Sequence, residues 1–215
     1  MANNSHIFGF RPLRDMNSSP YNGLTQVYVF AAAETTLAFK GDLVQFDATN
    51  RSSGIVDPYV PGVPAIKAVV APLTTTSFRG VIAGFVPQPE YNMLTTASLG
   101  TMFRQASTLR YGWVVDDYTV VFEAEETGNG FTSATANAVN KNIDIAYTAG
   151  SQLTGISAVV VDAATVVTNA VKPFQVLRYS QRVDNFNFVA ADTNSRAHYE
   201  LKIQNSDLAM GLNGA

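Results

Sequence analysis

Five carboxylates in one short segment are the first candidates for chemistry. They are Asp116, Asp117, Glu123, Glu125 and Glu126. Two carboxylates across a strand pair can act as acid and base on a glycosidic bond, and neighbouring carboxylates such as Asp116 and Asp117 can bind calcium. A solvated turn followed by an exposed strand face explains the same pattern without any chemistry. The sequence favours that second interpretation, with Asp116 and Asp117 as a weak calcium candidate.

Other catalytic arrangements lack the residues that they need. The sequence contains two histidines, His6 and His198, and no cysteine. No Gly-x-Ser-x-Gly motif holds a nucleophilic serine, and two isolated histidines do not supply the paired ligands of a zinc site. Gly128-Asn129-Gly130 is not followed by the Lys-Ser/Thr of a phosphate-binding loop. We therefore predict a protein that is not an enzyme and needs no cofactor.

The composition limits the possible partners. Charged residues make up 14% of the 215 residues, hydrophobic residues 47%, and the net charge is −3. A surface with few charges repels other copies weakly and suits packing against proteins, whereas nucleic acid and anionic membranes attract basic surfaces. The N-terminus lacks the pattern of a signal peptide, and no run of about 20 apolar residues could span a bilayer. We expect no nucleic-acid or membrane partner, and synthesis in a reducing cytoplasm.

The acidic cluster is predicted to lie on β-strands. Residues 118–125 alternate between apolar and polar side chains, which predicts a strand with one buried face and one wet face. Residues 111–115 predict a second strand, and the Asp116-Asp117 pair predicts a short turn that joins the two as neighbours. Trp113, the single tryptophan, is expected at the centre of the core.

The rest of the chain predicts further short strands. They cover residues 25–31, 39–46, 66–71, 78–86, 143–147, 156–162, 174–182 and 197–204, with one weak helix over 132–141. Gly80 and Gly84 share one face of their strand and leave room for a bulky side chain or a close backbone. This pattern predicts an all-β fold, an antiparallel sandwich or barrel, and we expect a jelly-roll-like sandwich formed by residues 25–215 as a single domain.

Residues 1–24 are predicted to form an extended N-terminal arm outside that domain, because they are rich in Gly and Pro and have no sustained period. Phe8 and Phe10 give the arm an apolar edge, and Arg11 and Arg14 give it a cationic end. The arm could lie on its own domain or reach a neighbouring subunit. Since aromatic and arginine side chains carry much of the energy of interfaces, we hypothesise that these four residues anchor the protein to its neighbours.

Five stretches of the sequence have motifs that occur together in one group of virion proteins. They are residues 8–12 (FGFRP), 39–44 (FKGDLV), 78–85 (FRGVIAGF), 114–124 (VVDD leading into VFEA) and 177–185 (LRYSQRVDN). In this order and over nearly the whole chain, the sequence resembles the head decoration, or cement, proteins of tailed bacteriophages. Each stretch alone is also ordinary strand-and-turn sequence.

The resemblance implies an all-β protein without catalytic residues on the outer surface of a virion. Its implied partners are the major capsid protein, whose subunits it would bridge, and further copies of itself, often as a homotrimer. Members of this group include jelly rolls and smaller β-tulip-like folds, and the likeness does not decide between them. The alternative is a carbohydrate-binding β-sandwich of a tail fibre or enzyme, with the loop residues Tyr21, Tyr59 and Tyr91 as ligand-stacking candidates.

Overall fold

The computed structural model describes residues 7–47, 63–70, 78–86, 102–127, 138–168, 172–182 and 196–206, and within these ranges it contains only β-strands, turns and loops. The eleven strands of the described ranges are β1 (Arg11–Asp15), β2 (Gln26–Phe30), β3 (Leu43–Phe46), β4 (Ala65–Ala68), β5 (Gly80–Phe85), β6 (Arg110–Val115), β7 (Val120–Glu125), β8 (Asn142–Ala146), β9 (Val160–Val167), β10 (Phe174–Tyr179) and β11 (His198–Ile203). The all-β prediction is confirmed. Every predicted strand overlaps an observed one, whereas β1 was not predicted. Most of the predicted helix, residues 132–137, lies outside the described residues.

The strands form two sheets. One is a six-stranded antiparallel sheet in the order β1-β7-β11-β10-β8-β9, and the other is a closed five-stranded barrel in the order β2-β4-β3-β5-β6. A closed ring with an odd number of strands cannot be antiparallel throughout, and the barrel accordingly pairs β2 with β4 in parallel. The prediction of a purely antiparallel fold is therefore wrong at this one pair.

One hydrophobic core is shared by the two sheets, and a second core fills the barrel. The shared core contains Val115 of the barrel together with Phe122 and Leu201 of the six-stranded sheet. Val114 belongs to the core inside the barrel. Because successive side chains of a strand point to opposite faces, β6 contributes to both cores with adjacent residues. The outer face of this part of the barrel therefore packs on the six-stranded sheet.

The predicted role of the two glycines of β5 is confirmed, but the prediction that they share one face is wrong, because the register of β5 against β6 shifts between Ile82 and Gly84. A Cβ atom added at Gly80 would lie 2.9 Å from the carbonyl carbon of Val115, so a backbone passes too close for any other residue. A Cβ atom added at Gly84 would lie 3.4 Å from the ring of Trp113. Gly84 therefore makes room for the bulky side chain, and Gly80 for the close backbone.

The strands on either side of Asp116-Asp117 are not neighbours, so the predicted hairpin is wrong. β6 pairs with β2 and β5, while β7 pairs with β1 and β11. The polar pair does form a turn, in which the Val120 N–H donates to the Asp117 carbonyl at 3.1 Å, but this turn carries the chain from one sheet to the other. Trp113 points outward from the barrel and is 37% exposed, so it is not the centre of the core.

The N-terminal segment is part of the fold rather than an arm outside it. β1 pairs with β7, with Arg11 opposite Glu123, and Phe10 is 2% exposed in the shared core, where its ring stacks on Phe174 at 4.6 Å. The sequence does not alternate here because Gly9 has a positive φ and β1 contains an irregularity between Pro12 and Arg14. The prediction of an arm is wrong for this part of the segment, and residues 1–6 lie outside the described residues.

Candidate functional site

The N-terminal segment crosses the turn before β3 at very short range. The Phe10 N–H donates to the Gly41 carbonyl oxygen at 2.9 Å. Gly9 and Gly41 have φ values of +70° and +93°, and a Cβ atom added at Gly41 would lie 2.5 Å from the carbonyl oxygen of Phe8. Glycine tolerates both the conformation and the approach. The motifs FGFRP and FKGDLV, far apart in sequence, therefore meet in the structure.

Lys40 lies next to this crossing and is held through its backbone. Its N–H donates to the Gly155 carbonyl at 3.1 Å, and its own carbonyl accepts from the Ser157 N–H at 2.9 Å. These bonds place Lys40 beside Ile156. The side chain is exposed, and no carboxylate among the described residues forms an ion pair with it. The backbone of Lys40 is thus fixed, and its exposed ammonium group is available to a partner.

Two adjoining depressions surround Lys40. The first has a volume of about 390 Å³ and is lined by Phe8, Phe10, Arg11, Pro12, Tyr21, Lys40, Gly41, Ile82, Ala83 and Ile156. The second has a volume of about 380 Å³ and is lined by Lys40, Ala83, Gly84, Phe85, Met102, Arg110, Trp113, Thr154, Gly155 and Ile156. Because they share Lys40, Ala83 and Ile156, we treat them as one surface feature and call it the junction groove.

Exposed apolar side chains accompany the junction groove. Met102 is 69% exposed, Trp113 37% and Ile156 38%, and all three line the second depression. Leu153, at the tip of the turn that ends at Ile156, is 95% exposed. Single exposed apolar residues are common, but a group of them beside an apolar depression is typical of a protein interaction site.

The three glutamates of the acidic cluster, Glu123, Glu125 and Glu126, are buried, so the prediction of a solvent-exposed face on β7 is wrong. Glu123 is fully buried, accepts a hydrogen bond of 2.7 Å from the Ser180 hydroxyl, and forms ion pairs with Arg11 and, at 3.5 Å, with Arg182. Glu200, directly opposite Glu123 on β11, lies 2.9 Å from Arg14 and 2.8 Å from Arg178. These arginines come from β1, from β10 and from the segment after β10, which strand periodicity alone could not reveal.

Glu125 continues the same row of buried carboxylates. It pairs with Arg196 at 3.2 Å and lies 4.0 Å from the imidazole of His198. An acid–base pair for glycoside hydrolysis needs one carboxyl group that holds a proton and one that is free to attack or to activate water. Glu123, Glu125 and Glu200 instead form ion pairs with guanidinium groups. The row therefore joins β1, β7, β10 and β11 electrostatically.

The four predicted anchor residues all contact their own chain. Phe8 stacks on His198 with ring centroids 5.5 Å apart, and the Arg11 guanidinium lies 4.8 Å from the centre of the Phe8 ring. Phe10 is in the core, and Arg14 pairs with Glu200. Phe8 and Arg11 also line the junction groove. An anchoring role for these residues stays a prediction, but they would have to act as part of this surface.

Asp116 and Asp117, the calcium candidates, each have other partners. The Tyr28 hydroxyl donates to Asp116 Oδ2 at 2.7 Å. The Thr119 N–H and hydroxyl donate to Asp117 Oδ1 at 2.8 Å and 2.7 Å. Across the described ranges, no group of three or more His, Cys, Asp or Glu side chains is arranged to hold a metal ion.

The aromatic residues of the carbohydrate alternative are only partly described. Tyr21 is half-buried and lines the first depression, and Tyr59 and Tyr91 lie outside the described residues, as does His6. Trp113, which was predicted to lie in the core, is instead an exposed aromatic side chain that lines the second depression.

Two buried acids have raised pKa values. Burial raises the pKa of Glu126 to about 7, although hydrogen bonds from the Tyr199 hydroxyl at 3.0 Å and the Ala197 N–H at 3.3 Å favour its ionised form. Burial also raises the pKa of Asp42 to about 6, and this residue accepts a 2.8 Å hydrogen bond from the Phe39 N–H. Glu126 directly follows β7, and Asp42 lies between β3 and Gly41, which lines the first depression.

Comparisons of the chain with protein-family models, with curated proteins and with solved structures find no match. The described residues include no helix long and apolar enough to cross a membrane.

The groove residues that the sequence did not predict are Lys40, Met102 and Ile156. Only Lys40 carried a usable signal, because it precedes a glycine turn within a motif already singled out. Met102 and Ile156 reach the groove through long-range packing.

Proposed function

We propose that the protein is a non-catalytic structural protein of a bacteriophage virion, which decorates the outer surface of the capsid and stabilises it by bridging capsid subunits. The observation that carries the proposal is the junction groove with its exposed apolar side chains, a surface suited to protein contacts. The groove is built where two of the motifs that resemble decoration proteins meet, at Gly9 and Gly41. The major capsid protein and further copies of the chain are the partners in this proposal.

The proposed architecture is a jelly-roll-like sandwich, with a β-tulip-like fold as the other form known for this group. Support for a sandwich comes from the shared core, in which Val81 and Val115 of the barrel pack with Phe122 and Tyr199 of the facing sheet. Face-to-face packing of two sheets over a common core is the defining feature of sandwiches. A rigid body of this kind suits a protein that must resist deformation of a shell.

The non-catalytic part of the proposal is supported by how the acidic residues are used. Glu123 and Glu200 face each other across β7 and β11, and each is paired with two arginines. Buried carboxylates that are paired in this way fix the relative positions of their strands. The row serves the rigidity of the sheet.

The proposal is tested by adding the purified protein to shells assembled from the major capsid protein of the same phage and measuring co-sedimentation. We expect saturable binding at a fixed ratio of protein to capsid subunit, and shells that withstand heating better once decorated. Leu153→Asp and Met102→Asp place a charge on the exposed patch and should reduce occupancy at least tenfold.

Val70→Asp is the matched control, because Val70 is 45% exposed and lines neither depression. It should bind as the wild type does. Failure of the wild-type protein to bind shells would refute the decoration proposal. If all variants bind shells equally well, the decoration proposal remains, but the groove is not the surface that contacts the shell.

The exposed indole of Trp113 favours a second candidate, the carbohydrate-binding β-sandwich. Trp113 lies beside Gly84 and lines the second depression with Phe85, and aromatic faces of this kind stack on sugar rings. Under this alternative, a glycan panel would include a ligand whose binding is lost in Trp113→Ala. Under the decoration proposal, no glycan of the same panel should bind the protein.

A further inference from the structure

We propose that the occupant of the junction groove is a second copy of this chain, whose turn at Asp116, Asp117 and Tyr118 inserts beside Lys40. The inference rests on the proposed function, since it names which protein contact of a decorated shell uses the groove. It also makes a claim about the isolated protein, which can be tested without any shell.

The groove requires an occupant that is apolar and carries an anion. Its lining is mainly aromatic and aliphatic, and the residues that line it include three cations and no carboxylate. Arg11 is paired with Glu123, and Arg110 donates to the Phe103 carbonyl oxygen. Lys40 is the cation for which neither an ion pair nor a side-chain hydrogen bond is found among the described residues. Covering an ammonium group without a counter-charge is costly, so the occupant must bring a carboxylate.

The turn between β6 and β7 has the matching chemistry. Tyr118 is 46% exposed and follows two aspartates, so an aromatic ring and carboxylates are presented together. Tyrosine is one of the residue types that most often anchor interfaces. A segment of this composition complements an apolar groove with a lysine at its centre.

The turn is also rigid before it binds. Thr119 donates two hydrogen bonds to Asp117 Oδ1, the Val120 N–H donates to the Asp117 carbonyl, and the Tyr28 hydroxyl donates to Asp116. Insertion of a preorganised turn loses little conformational entropy. Both bonds to the Asp117 carboxylate use Oδ1, which leaves Oδ2 for the Lys40 ammonium of the other copy.

The turn and the groove lie on the same side of the molecule. Tyr21 lines the groove, and its pKa is raised by burial and then by the nearby charge of Asp116. When a turn and its receptor are adjacent, two copies related by a two-fold axis can each place a turn against the groove of the other. Such a reciprocal contact buries both grooves at once.

A double-mutant cycle tests this contact, with self-association measured by sedimentation velocity from micromolar to submillimolar concentrations. Lys40→Gln removes the cation, and Asp117→Asn removes the charge while keeping an oxygen for Thr119. Each single change should raise the dissociation constant about tenfold or more, and the double variant should be no weaker than the weaker single variant, because paired groups are not additive. Tyr118→Ala should also weaken association relative to the wild type, because it removes the aromatic ring that enters the groove.

Lys67→Gln, on β4 and outside the groove, is the control and should associate as the wild type does. Urea unfolding of each variant separates loss of contact from loss of fold. A wild-type protein that stays monomeric throughout, or additive effects of Lys40→Gln and Asp117→Asn, would overturn the inference. Association through the groove without shell binding would instead refute the decoration proposal and leave the inference intact.

Discussion

The backbone N–H of Phe10 donates a 2.9 Å hydrogen bond to the carbonyl oxygen of Gly41. This bond fixes the start of β1 in the six-stranded sheet to the turn that opens β3 in the barrel. It explains why the N-terminal segment behaves as a structural strand, since Phe10 enters the shared core immediately beside it. It also sets the position of Lys40, the residue before Gly41, at the centre of the junction groove.

Replacing Gly41 with alanine tests this crossing. The residue has φ +93°, and its new Cβ atom would lie 2.5 Å from the Phe8 carbonyl oxygen. We expect a loss of about 2–4 kcal/mol in the free energy of unfolding, measured with urea, from backbone strain and the clash together. Gly23→Ala is the matched control, because Gly23 has φ +85° but no atom within 4 Å of the added Cβ. It should lose only about 1 kcal/mol. Equal losses would show that the crossing itself is not tight.

Arg104 holds together a segment of loop beside the barrel. It is fully buried, and its guanidinium donates to four carbonyl oxygens, those of Ala31, Glu34, Thr36 and Thr108. Arg104→Met should destabilise the protein by about 3–5 kcal/mol, because it leaves several carbonyl groups without donors. Arg178→Met removes an arginine that is 46% exposed and shares Glu200 with Arg14, and it should cost less than about 1 kcal/mol. Urea midpoints give both values, and a mild effect at Arg104 would mean that water replaces the guanidinium.

Glu126 should make stability depend on pH. Its pKa rises from an ordinary value of 4.5 to about 7 because of burial. The folded protein therefore holds this proton more strongly than the unfolded chain, so its contribution is full below about pH 4.5 and is lost as the pH rises through 7, a change on the order of 2–3 kcal/mol.

Urea unfolding at pH 5, 6, 7 and 8 measures this slope. Glu126→Gln keeps an acceptor for Tyr199 but cannot titrate, so its stability should fall less over the same range. Asp42, whose pKa is raised to about 6, contributes in the same direction and remains in both proteins. The difference between the two proteins isolates Glu126, and parallel curves would contradict the assignment.

The class and most strands of the fold follow from the sequence because strand periodicity is a local property. Residues 174–182 and 197–204 were predicted as strands, and β10 and β11 lie within them. Gly80 and Gly84 were predicted to leave room for a bulky side chain or a close backbone, and they do, because a missing side chain has few other uses within a strand. Local pattern was sufficient in these cases.

Long-range pairing accounts for the predictions that are wrong. Glu123 was predicted to be solvent-exposed because it alternates with Phe122. Instead β1 and β11 flank β7, and Arg11 of β1 and Arg182, which follows β10, form ion pairs with Glu123. Trp113 was predicted to be central because of its size, yet it lies on the outer face of the barrel beside Gly84. The junction groove could not be predicted at all, because its residues come from segments that only the assembled fold brings together.

Deletion of residues 1–14 gives the sharpest test of the N-terminal strand. The sequence alone predicted a detachable arm, whose loss would leave melting unchanged. In the structure this deletion removes Phe10 from the core, four of the five residues of β1, and the arginines that pair with Glu123 and Glu200. Losing Phe10 alone should cost about 3–5 kcal/mol, and uncovering two buried carboxylates adds to it.

We therefore expect the shortened protein to unfold near room temperature or to remain unfolded, as measured by thermal unfolding and by amide hydrogen exchange at β7. Phe10→Ala should lower the melting temperature by an intermediate amount. Deletion of residues 1–6 is the control for chain length, and the amides of β7 should remain protected from exchange in that variant. If the shortened protein melts at the same temperature as the full chain, β1 adds nothing to the stability of the sheet. The anchoring role hypothesised for Phe8, Phe10, Arg11 and Arg14 could then be tested directly by binding to shells.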